Sequence, residues 1–231
     1  MERSAIIVSH GQPSDPDPAE AELARFAGRV AEALPGWHVG SATLAKPGAL
    51  DTALGAAGPA PRVYPLFMTE GWFTGDALRK RLDGAPGARI LPPLGVSPGL
   101  PALAADLLRA EIASAGWQSR EVRLFIAGHG SGRSANSARD TRAFAAALAA
   151  LLPLAALRVG FVEQRPYLAE AARDLGAQSL CLPFFAAAGG HVVDDIPEAL
   201  DAAGFEGLRL APIGTAAAVP DLVAREIAAA G

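Results

Sequence analysis

The sequence repeats itself once, and this duplication constrains the fold more than any other feature. Three short motifs of the first half recur in the same order in the second half, at a nearly constant offset of 118 or 119 residues. The matched motifs are SHG at 9–11 with GHG at 128–130, PLF at 65–67 with PFF at 183–185, and PLG at 93–95 with PIG at 212–214. The interval is far longer than the repeat of a solenoid, which is about 20 to 50 residues. The sequence therefore predicts two similar lobes, residues 1–117 and 118–231.

Within each half, short apolar or β-branched runs alternate with longer segments in which apolar residues recur every three or four positions. This alternation predicts strands at 4–8, 38–43, 62–65, 89–91, 123–127, 157–161, 179–182 and 208–211. Amphipathic helices are predicted at 18–33, 48–57, 74–82 and 99–115, and after each strand of the second half. Apolar strands separated by helices are typical of a parallel sheet covered on both faces. We therefore expect an α/β protein with two lobes, each a four-stranded, mainly parallel sheet flanked by helices, and a cleft between them.

The two halves differ at the carboxyl ends of their predicted strands, where parallel α/β sheets bind ligands. The second half places ionisable side chains at three such ends, and these are His129, Glu163 and His191. The first half keeps His10 at its first strand end. Matching VG at 39–40 to VG at 159–160 puts Thr43 in the place of Glu163, and the aromatic pair at 72–73 takes the place of Gly-His at 190–191. The difference predicts that one lobe carries the chemistry while the other forms a wall.

The stretch LCLPFFAAAGGHVVDDIPEAL at 180–200 leads from a strand through a glycine turn into a helix. We expect Gly189 and Gly190 to supply the φ values of a sharp turn, with His191 facing a cleft beyond it. Asp194 or Asp195 is expected to cap the helix that follows.

Two histidines and a carboxylate at neighbouring strand ends can serve different kinds of chemistry. Imidazole suits iron, cobalt, nickel and zinc, and three protein ligands leave a coordination position open for catalysis. The same trio can instead relay protons near neutral pH. In a third, purely structural interpretation, Glu163 pairs with Arg165 at the surface and the histidines only stabilise turns.

The loop GHGSGRSANSARDT at 128–141 is rich in glycine and hydroxyl groups and precedes a helix, as an anion-binding segment does. It lacks the Gly-Lys-Ser/Thr ending of a P-loop and the spacing of a dinucleotide fingerprint. Its serines are not in a Gly-x-Ser-x-Gly nucleophile elbow. Three arginines of this region, Arg133, Arg139 and Arg142, have the forked geometry that suits substrate carboxylates. For Arg139 and Arg142 a solvated position on a helix face is an equal alternative.

Composition excludes several other classes of protein. The single cysteine, Cys181, cannot form an intramolecular disulfide or a cysteine-built metal site. A formal net charge of −4 argues against a nucleic-acid partner. No apolar stretch approaches the roughly 20 residues of a membrane span, and the apolar run near the N-terminus is too short for a signal peptide. We therefore expect a cytoplasmic protein with no membrane partner, rather than a periplasmic two-lobed receptor.

These residues together resemble the class II tetrapyrrole chelatases, and specifically the sirohydrochlorin cobaltochelatase and ferrochelatase family. The resemblance covers both halves through the His-Gly segments at His10 and His129, and it is most specific in FFAAAGGHVVDDIP at 184–197. It implies two chelatase-like, flavodoxin-like lobes whose cleft holds sirohydrochlorin. It also implies insertion of Fe²⁺ or Co²⁺ as the substrate metal, with release of two pyrrole protons and without any organic cofactor.

Carried over by position, the resemblance implies catalytic roles for His129, Glu163 and His191, with the two histidines handling the metal. Ser131, Arg133 and Arg165 are expected to bind the polycarboxylate substrate. His10 is a secondary candidate, since Phe73 stands where a second histidine of the first half would be.

The physiological metal is expected to be iron, because the chain lacks the histidine-rich tract and Cys-x-x-Cys tail found in long cobalt-specific relatives. The alternative function is a non-catalytic carrier of tetrapyrrole or metal, suggested by the missing histidine of the first half. The sequence leaves open whether the chain is a monomer or a homodimer.

Overall fold

The computed structural model describes residues 3–230, and its elements follow the predicted alternation of strands and helices. The first half contains β1 (Arg3–Ser9), α1 (Pro16–Glu32), β2 (Trp37–Thr43), α2 (Ala49–Ala57), β3 (Arg62–Pro65), α3 (Leu78–Arg81), β4 (Arg89–Ile90) and α4 (Leu100–Ser114). The second half contains β5 (Arg123–Gly128), α5 (Asn136–Leu151), β6 (Ala156–Phe161), α6 (Leu168–Ala172), β7 (Ser179–Pro183), α7 (Ile196–Ala202), β8 (Leu208–Arg209) and α8 (Val219–Ala229).

The strands form two four-stranded sheets with the same topology. Their orders are β2-β1-β3-β4 and β6-β5-β7-β8, and every pairing is parallel. The predicted α/β architecture is therefore confirmed. In each sheet the first strand is an inner strand, the second lies on one side of it, and the third and fourth lie on the other side. The strand order therefore reverses beside β1 and beside β5, which makes each a topological switch point.

The inner strands are buried because helices cover both faces of each sheet. Residues 5–8 of β1 and residues 124–127 of β5 are fully buried. In the second sheet, Phe125 and Cys181 pack with Leu168 and Leu200 from the covering helices. Burial of each such side chain contributes about 1.5 to 3 kcal/mol, so these apolar strands hold the sheet edge in a defined position.

The compact units of the structure are not the two halves of the sequence. One unit comprises the residues up to Leu94 together with those from Ala217 on, and the other comprises Gly95–Ala216. Helix α4 thus packs with α5 in the second unit, and α8 packs with α1 and β3 in the first. The repeat boundary at 117/118 stays a prediction about the duplication, because each unit is completed by the helix that ends the other half.

Side chains of the first sheet hold α8 in place. The Tyr64 hydroxyl in β3 donates to Glu226 Oε2 at 2.7 Å, and Arg89 Nη1 in β4 donates to the carbonyl of Ala230 at 2.7 Å. Arg62 donates to the carbonyl of Ile227. Arginines on the last carbonyls satisfy acceptors that a helix end leaves open and match the negative end of its dipole.

The backbone register corrects one comparison between the halves. Glu163 donates its N–H to the carbonyl of His129, and Ala45 makes the same bond to His10, both at 2.9 Å. The partner of Glu163 in the first half is therefore Ala45, and the match with Thr43 was wrong by two residues. A shift of two positions keeps side chains on the same face of a strand, so apolar alternation alone did not reveal the error.

The helix predicted at 74–82 begins as a π-helical turn, Phe73–Ala77, and continues as α3. A second π-helical turn, His191–Asp195, precedes α7. The expectation that Gly190 supplies an unusual φ was wrong, because its φ of −49° lies in the right-handed helical region. None of the helices within residues 3–230 is long and apolar enough to cross a membrane.

Candidate functional site

Three neighbouring strands of the second sheet deliver the candidate side chains to one edge. Strand β5 lies between β6 and β7, and all three run in the same direction. His129 follows β5 directly, Glu163 lies two residues beyond β6, and His191 begins the π-helical turn after β7. The structure thus places all three at the carboxyl end of the sheet, as the sequence predicts.

A close backbone contact fixes the start of this site. Gly130, next to His129, has a φ of +73°, and a Cβ atom there would lie 2.8 Å from Phe161 Cβ. Any side chain at this position would be strained and would push β6 away. Gly11, beside His10, has a φ of +75° and approaches Thr43 in the same way, which explains why His-Gly recurs in both halves.

The ligating atoms of His129, Glu163 and His191 all lie within 4.8 Å of one another. The rings of the two histidines meet edge to face, with centroids 4.7 Å apart and planes inclined at 85°. Glu163 Oε2 lies 3.9 Å from His129 Nδ1. Side-chain exposures of 43%, 49% and 41% show that all three groups remain accessible to a ligand.

Hydrogen bonds define which ring nitrogens are available. His129 Nδ1 lies 2.8 Å from the carbonyl oxygen of Gly130, and His191 Nδ1 lies 2.5 Å from Asp195 Oδ2. Both partners are acceptors, so each Nδ1 carries a hydrogen in these bonds and each Nε2 keeps its lone pair. This is the arrangement usual for histidines that bind metals.

The single cysteine contributes to the core beneath this edge. Cys181 lies in β7 and is 1% exposed, and burial raises the pKa of its thiol to about 12. A thiol must lose its proton to bind a metal, so Cys181 stays inert at neutral pH. The donors at this edge are therefore imidazole nitrogens and carboxylate oxygens.

Ser131 lies beside the cluster but uses its hydroxyl within its own loop. Ser131 Oγ accepts the N–H groups of Arg133 and Ser134 at 3.1 and 3.2 Å, and its own N–H donates to Gln164 Oε1 at 2.9 Å. The Arg133 residue is exposed. Gln164 was not predicted, and the only sequence signal for it is its position next to Glu163.

Arg165 pairs with Glu170 rather than with Glu163. Its Nη1 lies 2.5 Å from Glu170 Oε1, and its guanidinium lies 5.3 Å from the ring centroid of Tyr167. The structural interpretation that tied Glu163 to Arg165 is therefore wrong, because Glu170 is the closer partner. Arg165 is 74% exposed, so it keeps a surface on which an anion can bind.

The first unit presents aromatic side chains at the equivalent edge. His10 Nδ1 lies 3.0 Å from the carbonyl oxygen of Gly11, and its ring meets that of Phe73 edge to face at 4.5 Å. Phe73 in turn contacts Trp72, with centroids 5.0 Å apart. Trp72 is 62% exposed and Phe73 is 40% exposed, so this pair is not part of the core.

The contact of Asp195 with His191 is not predicted by the sequence pattern. Asp195 is one of the two aspartates expected to cap α7, yet its carboxylate makes no capping bond and instead contacts His191. The available signal was the spacing of four residues between them, which places two side chains on the same face of a helical segment.

Comparisons with known proteins agree with this fold. The sequence model of the CbiX family matches residues 123–230. The solved structure of CbiX, the terminal enzyme for biosynthesis of siroheme in denitrifying bacteria, is 47% identical with a TM-score of 0.91, and the match covers 99% of this chain and 100% of that one. No curated protein sequence matches the chain significantly.

More distant structures share the same architecture. SirB from Bacillus subtilis with Fe³⁺ is 18% identical with a TM-score of 0.78, and the match covers 99% of this chain and 96% of that one. SirB from Bacillus subtilis subspecies spizizenii in complex with cobalt is 16% identical with a TM-score of 0.71, covering 99% and 94%. The two parallel sheets therefore have the fold of a class II chelatase.

At 47% identity over 99% of its length, the similarity to CbiX reaches beyond the fold. The chain belongs to the CbiX family. The resemblance inferred from the His-Gly segments and from residues 184–197 is thereby confirmed.

Proposed function

We propose that this protein inserts a divalent metal ion into sirohydrochlorin and releases two pyrrole protons. The observation that carries the proposal is the cluster of His129, Glu163 and His191 at one sheet edge. It occurs in a chain 47% identical to an enzyme of siroheme biosynthesis. Fe²⁺ is the proposed physiological metal and siroheme the product, while Co²⁺ is a second metal that the same donors accept.

The spacing of the donors suits a metal that must be passed on. Two ligand atoms bound to one ion at about 2.1 Å can be at most about 4.2 Å apart. The three ligand atoms here all lie within 4.8 Å of one another, so small side-chain rotations would bring His129 and His191 onto an ion. Imidazole donors without a thiolate hold an ion less tightly than a thiolate cage does, which suits delivery of the ion to four pyrrole nitrogens.

Glu163 is the proposed base for the pyrrole protons. Its carboxylate is half exposed and lies 3.9 Å from His129 Nδ1. A carboxylate beside the incoming cation can accept a proton from a pyrrole N–H while the ion takes that proton's place. Each turnover releases two protons, and exposure of Glu163 to solvent allows it to discharge the first before accepting the second.

Cations near the cluster are proposed to bind the carboxylates of the substrate. Arg133 and Arg165 both follow strand ends of the second sheet and both are exposed. Ser131 lies in the same loop as Arg133, and its Oγ accepts the backbone N–H groups of Arg133 and Ser134. A protein with a net charge of −4 requires such local cations in order to attract a polyanion.

The exposed pair Trp72 and Phe73 is proposed to offer a surface of the first unit to a flat ligand. The two rings contact each other, and a contiguous exposed apolar patch can mark a ligand-binding surface. His10, which packs against Phe73, is proposed to support this surface and remains a secondary candidate for metal handling.

The proposed setting is cytoplasmic, with sirohydrochlorin and the metal ion as partners and no nucleic acid, membrane or organic cofactor. The chain is proposed to act as a monomer or a homodimer.

A non-catalytic carrier is the second candidate, because Phe73 and Ala45 replace the histidine and the carboxylate in the first half. Anaerobic incubation with sirohydrochlorin and either Fe²⁺ or Co²⁺, followed by absorption spectroscopy, separates the two functions. Insertion faster than the spontaneous reaction, at substoichiometric protein and over several turnovers, supports the enzyme. Binding of sirohydrochlorin without any acceleration supports the carrier.

A further inference from the structure

Each half of the chain contains a π-helical turn at the same place in its repeat. The turns are Phe73–Ala77 and His191–Asp195, at an offset of 118 (191 minus 73). Such turns are rare and occur frequently at functional sites. Because both halves retain the turn, its five positions can be compared one by one.

The two neighbouring aspartates of the second turn, Asp194 and Asp195, have different counterparts in the first half. Asp194 corresponds to Asp76, so the first half keeps this carboxylate. Asp76 Oδ1 forms a surface ion pair with Arg79 Nη1 at 3.2 Å, which is a structural role. Asp195, in contrast, corresponds to Ala77, a buried residue of the first unit.

Asp195 is therefore absent from the half that also lacks His191, whose place is taken by Phe73. The π-helical turn forms without either residue, so the backbone requires neither of them. The histidine and the aspartate occur together in one half and are replaced together in the other.

The contact between them explains this joint occurrence. Asp195 Oδ2 lies 2.5 Å from His191 Nδ1, at a spacing of four residues within the turn. The carboxylate can only accept, so it keeps the hydrogen on Nδ1 and the lone pair on Nε2. It also restrains rotation of the imidazole ring, which is otherwise 41% exposed.

The two histidines of the cluster are held in different ways. His129 donates to a backbone carbonyl, that of Gly130, which no substitution removes without moving the loop. The orientation of the His191 ring depends instead on one side chain, that of Asp195. A carboxylate partner also makes an imidazole a stronger electron donor than a carbonyl partner does.

We infer that Asp195 is a positioning residue that fixes the tautomer and orientation of His191, so that its Nε2 is presented to the incoming metal ion. The inference rests on the proposed function and adds to it a residue that acts through His191 rather than on the substrate. Asp194, one position earlier and exposed, has no such role.

Two measurements on Asp195→Ala, Asp195→Asn and Asp194→Asn test the inference. The first is the Kd of the protein for Co²⁺ alone, without sirohydrochlorin. Loss of a carboxylate behind a metal-binding histidine costs about 10-fold to 100-fold in affinity, which is the increase in Kd expected for Asp195→Ala. Asp195→Asn keeps an acceptor oxygen and should lose less, and Asp194→Asn should match the parent protein.

The second measurement is the ¹⁵N NMR spectrum of the histidine side chains in the metal-free protein, with His191→Ala used to assign the signal. The parent protein should show His191 protonated at Nδ1, and Asp195→Ala should shift the tautomer towards Nε2–H. A purely structural role would not move this tautomer. Folding is checked by circular dichroism. If Asp195→Ala does not fold, the Kd and the tautomer are measured on Asp195→Asn instead.

The outcomes separate this inference from the proposed function. An Nε2–H tautomer in the parent protein, or an unchanged tautomer and Kd in the Asp195 variants, would overturn the positioning role even if metal insertion is observed. A shift of tautomer that depends on Asp195, in a protein that does not insert metal, would support the positioning role and contradict the chelatase proposal.

Discussion

The imidazole rings of His129 and His191 meet edge to face with their centroids 4.7 Å apart, although the two residues are 62 positions apart (191 minus 129) in the chain. Parallel pairing of β5 with β7 brings them together, because both residues follow the carboxyl ends of adjacent strands. The contact brings two imidazole rings and the Glu163 carboxylate together at one edge of the sheet.

Replacement of Glu163 by Gln should slow metal insertion while leaving Co²⁺ binding nearly intact. The amide fills the same space but cannot accept a pyrrole proton, so kcat should fall by about 10²-fold to 10⁴-fold. Steady-state kinetics and Co²⁺ titration check this. Glu121→Gln, an exposed residue before β5 at the opposite edge of the sheet, is the matched control. Equal kcat in Glu163→Gln and the parent would remove Glu163 from the mechanism.

Replacement of Trp72 by Ala should raise KM for sirohydrochlorin with little change in stability. Its ring is 62% exposed, so little of its apolar surface stabilises the fold. Aromatic stacking contributes about 0.5 to 1.5 kcal/mol, which corresponds to a KM about 2-fold to 10-fold higher. Leu151→Ala, an exposed apolar residue at the end of α5, is the control. A KM unaffected by Trp72→Ala would show that the macrocycle binds elsewhere.

The double variant Arg133→Ala, Arg165→Ala should bind sirohydrochlorin more weakly and with less dependence on salt. Removing two exposed cations reduces the attraction for a polyanion, and that attraction is screened by ions. Loss of the exposed Arg165–Glu170 pair should change stability by no more than about 1 kcal/mol. KM measured from low to high ionic strength checks the prediction, with Arg120→Ala as the control. Parallel salt curves for parent and double variant would contradict it.

Burial of Cys181 predicts a loss of stability at alkaline pH. The pKa of its thiol rises from 9.0 to about 12 on folding, chiefly because burial disfavours the thiolate, while Arg209 acts weakly in the opposite direction. Above pH 9 the unfolded chain loses the proton and the folded protein retains it, so stability is complete below pH 9 and falls towards pH 12. The slope from one thiol is at most about 1.4 kcal/mol per pH unit.

Urea denaturation between pH 8 and 11 measures this slope, and Cys181→Ala should reduce it. Tyr64, whose pKa is also raised by burial and by Glu226, contributes a slope of the same sign in both proteins. Native Cys181 should not react with a thiol reagent at pH 8. Rapid modification there would show that β7 is less protected than the structure indicates.

Much of this fold follows from local patterns in the sequence. The apolar runs of β1 and β5 needed no long-range information, because strands buried on both faces have a distinctive composition. Strong periodicity likewise placed α1 and α4 to within two residues of their observed bounds.

Features that depend on tertiary contacts were harder to predict. The equivalence of Glu163 with Ala45 could be recognised only from the observed strand register. A slip of two residues leaves the alternation of side chains along a strand unchanged, so the sequence pattern does not reveal it. The packing of α8 onto the first sheet depends on Tyr64 and Glu226, which are far apart in the sequence. The bond between His191 and Asp195 required the geometry of a π-helical turn, whereas the sequence pattern suggested only a helix cap.

The most direct test compares metal insertion by the parent protein, His191→Ala and His10→Ala under anaerobic conditions, with His38→Ala as a control. Metal insertion by His191→Ala should fall to the spontaneous rate while the variant keeps its fold, since the residue is half exposed and outside the core. His10→Ala should retain most of the activity. Full activity in His191→Ala together with its loss in His10→Ala would contradict the assignment of the chemistry to the second half of the chain.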